Sequence, residues 1–133
     1  MAEVGSYLYL AQKDAGRADL MFKADDYTAC GRFCEQAVEK AFKAYLEIYG
    51  GSEVVGLMKL HKPRRLYEKC CELGLQPVDE TILATLSDLS EYYFETNYPG
   101  DGYFELTQKQ AALALALMHR MVSLVTSALT PAS

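Results

Sequence analysis

This sequence predicts an all-α fold, an up-and-down four-helix bundle with one additional short helix, and three observations predict it. The stretch from Tyr27 to Tyr49 carries two adjoining apolar rows spaced by fours. Phe33, Ala37, Ala41, Tyr45 and Tyr49 form one, and Cys30, Cys34, Val38, Phe42 and Leu46 the other. A face that wide belongs at the centre of a bundle. Only Ala24, Asp25 and Asp26 separate this stretch from the helical pattern before it, and so short a connection between two long helices makes an antiparallel hairpin. Finally, Ala111 to Met118 leaves almost no polar face, so this segment needs partners on more than one side.

The first helix is marked by Leu10, Ala11, Ala15, Ala18, Met21 and Phe22, which recur at threes and fours. Asp25 or Asp26 caps the second, because an Asp oxygen accepts from the free amides of a first turn. Gly50-Gly51 ends that helix, since glycine readily takes the left-handed conformation of a helix C-terminus. Ser52 to Pro63 reads as a loop with a turn between Val54 and Leu60. Pro63 suits the first position of a short third helix, which Gly74 stops. Asp79 caps a fourth helix through Ile82, Leu83, Leu86, Leu89, Tyr92 and Tyr93. It must close near Asn97, because Pro99 disfavours helical geometry in the residue before it. Pro99-Gly100-Asp101-Gly102 is a turn, and Thr107 with Gln110 makes a capping box for the last helix. The predicted helices thus cover about residues 6–23, 26–49, 63–73, 79–97 and 107–129, within a single domain.

At 133 residues the chain is large enough to bury a core without metal or disulfide staples. Half the residues are apolar, as in ordinary globular proteins, and no uninterrupted apolar run approaches the length that spans a bilayer. The start, Met1-Ala-Glu-Val-Gly5, lacks the basic residues and apolar run of a signal peptide, so a cytoplasmic protein with no membrane partner is expected. Cys30 and Cys34 are four apart on a buried face, and the adjacent Cys70 and Cys71 point in different directions. Buried free thiols are expected rather than a zinc site.

The formal net charge of -5 argues against a broad binder of nucleic-acid backbone, which needs clustered Lys and Arg. One local basic cluster exists, with Lys59, His61, Lys62, Arg64 and Arg65, then Lys69 a turn later. It is either a solvated helix start or a contact for phosphate or RNA, held by the imidazolium, the basic side chains and the free helix amides. His119, in the apolar last helix, reads as a core or interface histidine satisfied by a neighbour rather than a catalytic one. A second polar set lies on the hairpin. Asp14 and Arg17 are three apart on the first helix, and Gln36 and Lys40 four apart on the second, with Glu39 between them. They either pair among themselves or open as a polar pocket for a nucleotide or RNA end. Neither Glu-x-x-His, Gly-x-Ser-x-Gly, a phosphate-binding glycine loop nor His-Glu-x-x-His occurs, so no metal or cofactor is expected.

Taken in order, several segments resemble the HEPN domain family, the higher eukaryote and prokaryote nucleotide-binding domains. They are Ala11-Gln-Lys-Asp14, Tyr27-Thr-Ala-Cys30, the run from Phe33 through Gln36-Ala-Val-Glu-Lys-Ala41 to Leu46, and His61 with Leu66. Leu89-x-x-Tyr92-Tyr93 and Thr96-Asn-Tyr-Pro99 complete the set, which spans nearly the whole chain. The resemblance implies an all-α bundle, usually a homodimer and often encoded beside a minimal nucleotidyltransferase as its partner. Some members are metal-independent ribonucleases, toxins of toxin-antitoxin pairs among them, with an Arg four to six residues before a His. That motif is absent here: Val55, Gly56 and Leu57 precede His61, and Leu113, Ala114 and Leu115 precede His119. Asn97 also stands where the family commonly has the Arg of Arg-Tyr-Pro.

The expected function is therefore a non-catalytic dimeric module that binds a nucleotide or a nucleotidyltransferase partner. Its candidate ligand residues are Asp14, Arg17, Gln36, Lys40, His61, Arg64, Asn97 and Tyr98, with no catalytic residue assigned. The alternatives are an RNA-cleaving protein with an atypical set, His61 with Arg64 or Arg65, and a ligand-free helical adaptor.

Overall fold

The computed structural model describes residues 3–97, 100 and 103–130, with the side chains of residues 93–97 outside that set. Among these residues five α-helices run in order: α1 Tyr7–Lys23, α2 Tyr27–Tyr49, α3 Pro63–Glu72, α4 Glu80–Asn97 and α5 Gln108–Leu129. Two short 3-10 helices, Gly51–Val54 and Leu57–Lys59, lie between α2 and α3. No strand occurs among the described residues. The all-α expectation holds, with each helix within a residue or so of its predicted bounds.

Each boundary has a local cause. Ser6 caps α1 by accepting from the Tyr9 amide. At its other end Asp25 takes a left-handed φ of 61°, while the Asp25 amide bonds the Phe22 carbonyl and the Asp26 amide the Met21 carbonyl. This paired closure leaves the chain reversed and Asp26 placed to cap α2 through the Ala29 amide at 3.1 Å. Gly50 closes α2 in helical geometry, and Gly51 supplies the left-handed residue, φ 62°. The loop expected after it is more ordered than predicted, because Val54 is buried and pins the first 3-10 turn. Asp79 caps α4 through the Ile82 amide; the Thr81 hydroxyl and that amide hold its carboxyl below the usual range. Thr107 and Gln110 form the predicted capping box of α5.

Helix α2 is the central element. It packs against α1, α3, α4 and α5, burying Cys30, Cys34, Val38, Phe42 and Leu46 completely. The short α3 lies against α2 and α4. Its seat is fixed by buried Pro63, Leu66 and Tyr67, and the Tyr67 hydroxyl accepts from the Val78 amide at 2.8 Å. Burying an aromatic ring with its hydroxyl satisfied stabilises such a seat at no polar cost. The segment before α5 is strapped to α2 by buried Leu106, whose amide donates to Thr28 Oγ1 at 2.9 Å.

Helix α5 is long and apolar enough to cross a membrane by length and composition, although no single run within it suggested so. In the bundle it buries Ala111, Ala114, Leu117, Met118, Met121, Val122 and Val125. Its other side leaves Leu113 half exposed. All four cysteines are free thiols, three of them buried, and burial pushes the Cys70 thiol up.

Candidate functional site

The largest concentration of basic side chains lies where α3 begins and faces α4. Because Pro63, Leu66 and Tyr67 turn into the core, Arg64, Arg65 and Glu68 turn outward. With His61 and Lys62 they form one wall of a groove of about 490 Å³, and Ser87, Ser90 and Glu91 of α4 form the other. Arg64 crosses it, donating from Nη1 to Ser87 Oγ at 3.1 Å. The N-cap residue Lys62 makes no side-chain cap to the α3 N-terminus. The first amides of a helix left uncapped favour an anion, and here four basic residues surround them. Lys69, from the same basic stretch, does not join the groove; it pairs with Glu53 and Glu72.

Behind the groove wall stands a buried polar ladder on α2. Glu39 is 4% exposed in its side chain, and its Oε1 accepts from Lys43 Nζ and pairs with His61 Nδ1, each at 2.8 Å. Glu35, one turn earlier, is fully buried. Burial first, and then a hydrogen bond with Glu39, pushes its carboxyl up to about 10, so Glu35 is a neutral acid at pH 7. Among the described residues, the remaining oxygens, Glu35 Oε1 and Glu39 Oε2, have no N–H donor. The proton that Glu35 shares with Glu39 accounts for that pair, since a carboxylic acid donates where a carboxylate only accepts.

The hairpin set resolves differently. Asp14, 3% exposed in its side chain, accepts from Arg17 Nη1 at 2.7 Å through Oδ1 and from Lys40 Nζ through Oδ2. Both its oxygens are occupied within the protein. Gln36 does not face these groups; its Nε2 donates to Glu35 Oε2 at 2.6 Å and joins the α2 ladder instead. His119 pairs with Asp19 of α1, 2.8 Å away, but its side chain is 51% exposed, so it lies at the surface of this chain rather than in its core. Tyr98 and the side chain of Asn97 lie outside the described residues.

Sequence reading singled out Gln36, Glu39 and Lys40 but passed over Glu35 and Lys43. The missed signal was available: Glu35, Glu39 and Lys43 recur at fours directly beside the buried row Cys34, Val38 and Phe42. A charged row next to a core row is buried once a further helix, here α3, covers it.

Comparisons with known proteins agree with this architecture. The family model described as the HEPN domain matches residues 4–128. A crystal structure of an archaeal HEPN homologue superposes with a TM-score of 0.68 at 20% sequence identity, covering 98% of this chain and 100% of that one. A search of curated proteins returned no match. With nearly its whole length matched by the family model and the same helical fold in a solved relative, this chain belongs to the HEPN domain family.

Proposed function

We propose that this protein is a non-catalytic HEPN module that binds a phosphate-bearing ligand, a mononucleotide in particular, in the groove between α3 and α4. The observation that carries the reading is the meeting of His61, Lys62, Arg64 and Arg65 in one groove at a helix N-terminus that its N-cap residue, Lys62, does not cap. Arg64 and Arg65 suit phosphate because a guanidinium presents a fork of donors to its oxygens. The opposite wall, with Ser87, Ser90 and Glu91, suits the hydroxyl and amino groups of a nucleoside. A volume of about 490 Å³ fits a small molecule, and the acidic net charge of -5 disfavours an extended polyanion. The hairpin set of Asp14, Arg17 and Lys40 is assigned to stability, because both Asp14 oxygens are already paired.

The module is read as a homodimer joined through the outer side of α5. Leu113, 52% exposed, supports this, together with the apolar character of that helix. A minimal nucleotidyltransferase is the protein partner that the family resemblance implies. RNA cleavage is disfavoured by the absent Arg and His spacing. The test is calorimetric titration with a panel of nucleoside phosphates, with light scattering on the same sample and an RNA incubated alongside. Saturable binding by a dimer that leaves the RNA intact is expected. No binding to any nucleotide, or RNA cut by the wild type and spared by His61→Ala, would overturn the reading.

A further inference from the structure

The two walls of the α3–α4 groove are chemically opposite, and hydrogen bonds within α4 make them so. Ser87 Oγ donates to the Leu83 carbonyl at 3.3 Å, and Ser90 Oγ donates to the Ser87 carbonyl at 3.1 Å. A hydroxyl has a single hydrogen, so both serines turn only lone pairs toward the groove. Ser87 uses one of them in accepting from Arg64 Nη1. The exposed carboxylate of Glu91 likewise only accepts. Ser90 and Glu91 lie three and four residues beyond Ser87, so the three share one face of α4. Opposite them, Lys62, Arg64 and Arg65 carry donors alone, with Glu68 the one acid on that side.

We propose that the groove selects ribonucleotides over 2′-deoxyribonucleotides, with Glu91 as the residue that reads the ribose hydroxyls. This inference rests on the reading of the groove as a phosphate site. A ligand that satisfies both walls must offer oxygens to α3 and hydrogens to α4. A nucleotide carries such hydrogens on its sugar hydroxyls and on the amino groups of its base, and position decides between them. Because Arg64 touches Ser87, a phosphate held by Arg64 lies beside α4 at the level of Ser87. Glu91 stands four residues further on, about 6 Å along the helix. That is the place of the sugar joined to the phosphate, whereas the base amino groups lie beyond it.

Adjacent hydroxyls suit a carboxylate, whose two oxygens can each accept from one of them. Among the described residues none forms an ion pair with Glu91. The same carboxylate is a like charge beside the phosphates, so it weakens any ligand that brings phosphate without hydroxyls. Glu91 therefore acts in two directions, for the ribose and against the bare polyphosphate. A site built to bond a hydroxyl rejects the analogue that lacks it, and here the exposure of Glu91 keeps the effect moderate.

The test is calorimetric titration of the full chain with ATP, 2′-deoxy-ATP and inorganic tripolyphosphate at one pH and constant ionic strength. The wild type should bind 2′-deoxy-ATP about fivefold or more weakly than ATP, as loss of a hydrogen bond to a charged group implies, and tripolyphosphate more weakly than ATP. In Glu91→Ala the preference for ATP should fall toward one while tripolyphosphate binds more tightly. Asp88→Asn removes the same charge from an exposed position of α4 outside the groove and should keep the wild-type preference. Equal wild-type affinity for ATP and 2′-deoxy-ATP, or tripolyphosphate bound as tightly as ATP, would overturn the inference and leave the phosphate groove standing. A Glu91→Ala protein with the wild-type preference, or an Asp88→Asn protein that loses it, would overturn the assignment to Glu91. No saturable heat from either ATP or tripolyphosphate would sink the groove reading and this inference with it.

Discussion

Asp14 of α1 and Lys40 of α2 are joined across the hairpin by an ion pair whose carboxylate is buried and whose ammonium is 27% exposed in its side chain. Together with Arg17, this pair ties the two longest-packed neighbours of the bundle at mid-length. Removing the buried partner leaves two cations that reach water, so the loss is moderate, about 1–3 kcal/mol. Asp14→Ala should therefore lower the melting temperature by several degrees and leave nucleotide affinity unchanged. A variant that kept its melting temperature but lost the ligand would move the binding site to the hairpin.

Glu35 gives a pH-dependent prediction with a definite sign. Its carboxyl is ordinarily ionised above about 4.5 but stays protonated up to about 10 in the folded chain. Between those values the folded state holds a proton that the unfolded state has released, so this group's contribution to stability falls as pH rises. Glu35→Gln keeps a donor toward Glu39 and removes the titration. It should stabilise the protein at pH 8 by on the order of 2 kcal/mol, with little effect near pH 4.5. Thermal melts of both proteins across that range check this; a difference that does not grow with pH contradicts it.

The turn that carries the chain from α2 toward His61 depends on Gly50. A Cβ there would stand 2.5 Å from both methyl carbons of buried Val54 and 2.6 Å from the Leu46 carbonyl oxygen. Gly50→Ala should destabilise by about 1–3 kcal/mol through this overpacking. Denaturant melts would show a lowered midpoint, whereas an unchanged midpoint would mean that the turn yields freely.

For the outer side of α5, Leu113→Glu places a charge at the proposed centre of a homodimer contact. Light scattering should show the mass halved while the helical circular dichroism is retained. A wild-type protein that already weighs one chain would refute the dimer outright.

The fold was legible because its determinants are local and periodic. The rows of α2, Asp26 as a cap, Pro63 at the start of α3 and the Thr107 capping box each act within a turn or two of chain. Asp25 in the left-handed region was less visible, because glycine is the usual residue there. The site was only partly legible. The basic cluster at Lys62 to Arg65 stood out by composition, but its second wall, Ser87, Ser90 and Glu91, comes from a helix whose register against α3 no local pattern encodes. The same holds for His61 and Glu39, which are brought together across the 3-10 turns. Gln36 shows the limit most plainly. Helical spacing puts it four residues from Lys40, yet its amide turns to the adjacent Glu35 because a buried carboxyl needs a donor.

The most direct test of the central claim is isothermal calorimetry of ATP binding to the wild type and to the Arg64→Ala, Arg65→Ala double variant. Both arginines are exposed, so the variant should fold normally. The account predicts saturable binding to the wild type that weakens as salt is added, and affinity lower by about tenfold or more in the variant, as loss of charge-assisted contacts implies. ATP that gives no saturable heat with the wild type, or equal affinity for both proteins, would contradict it.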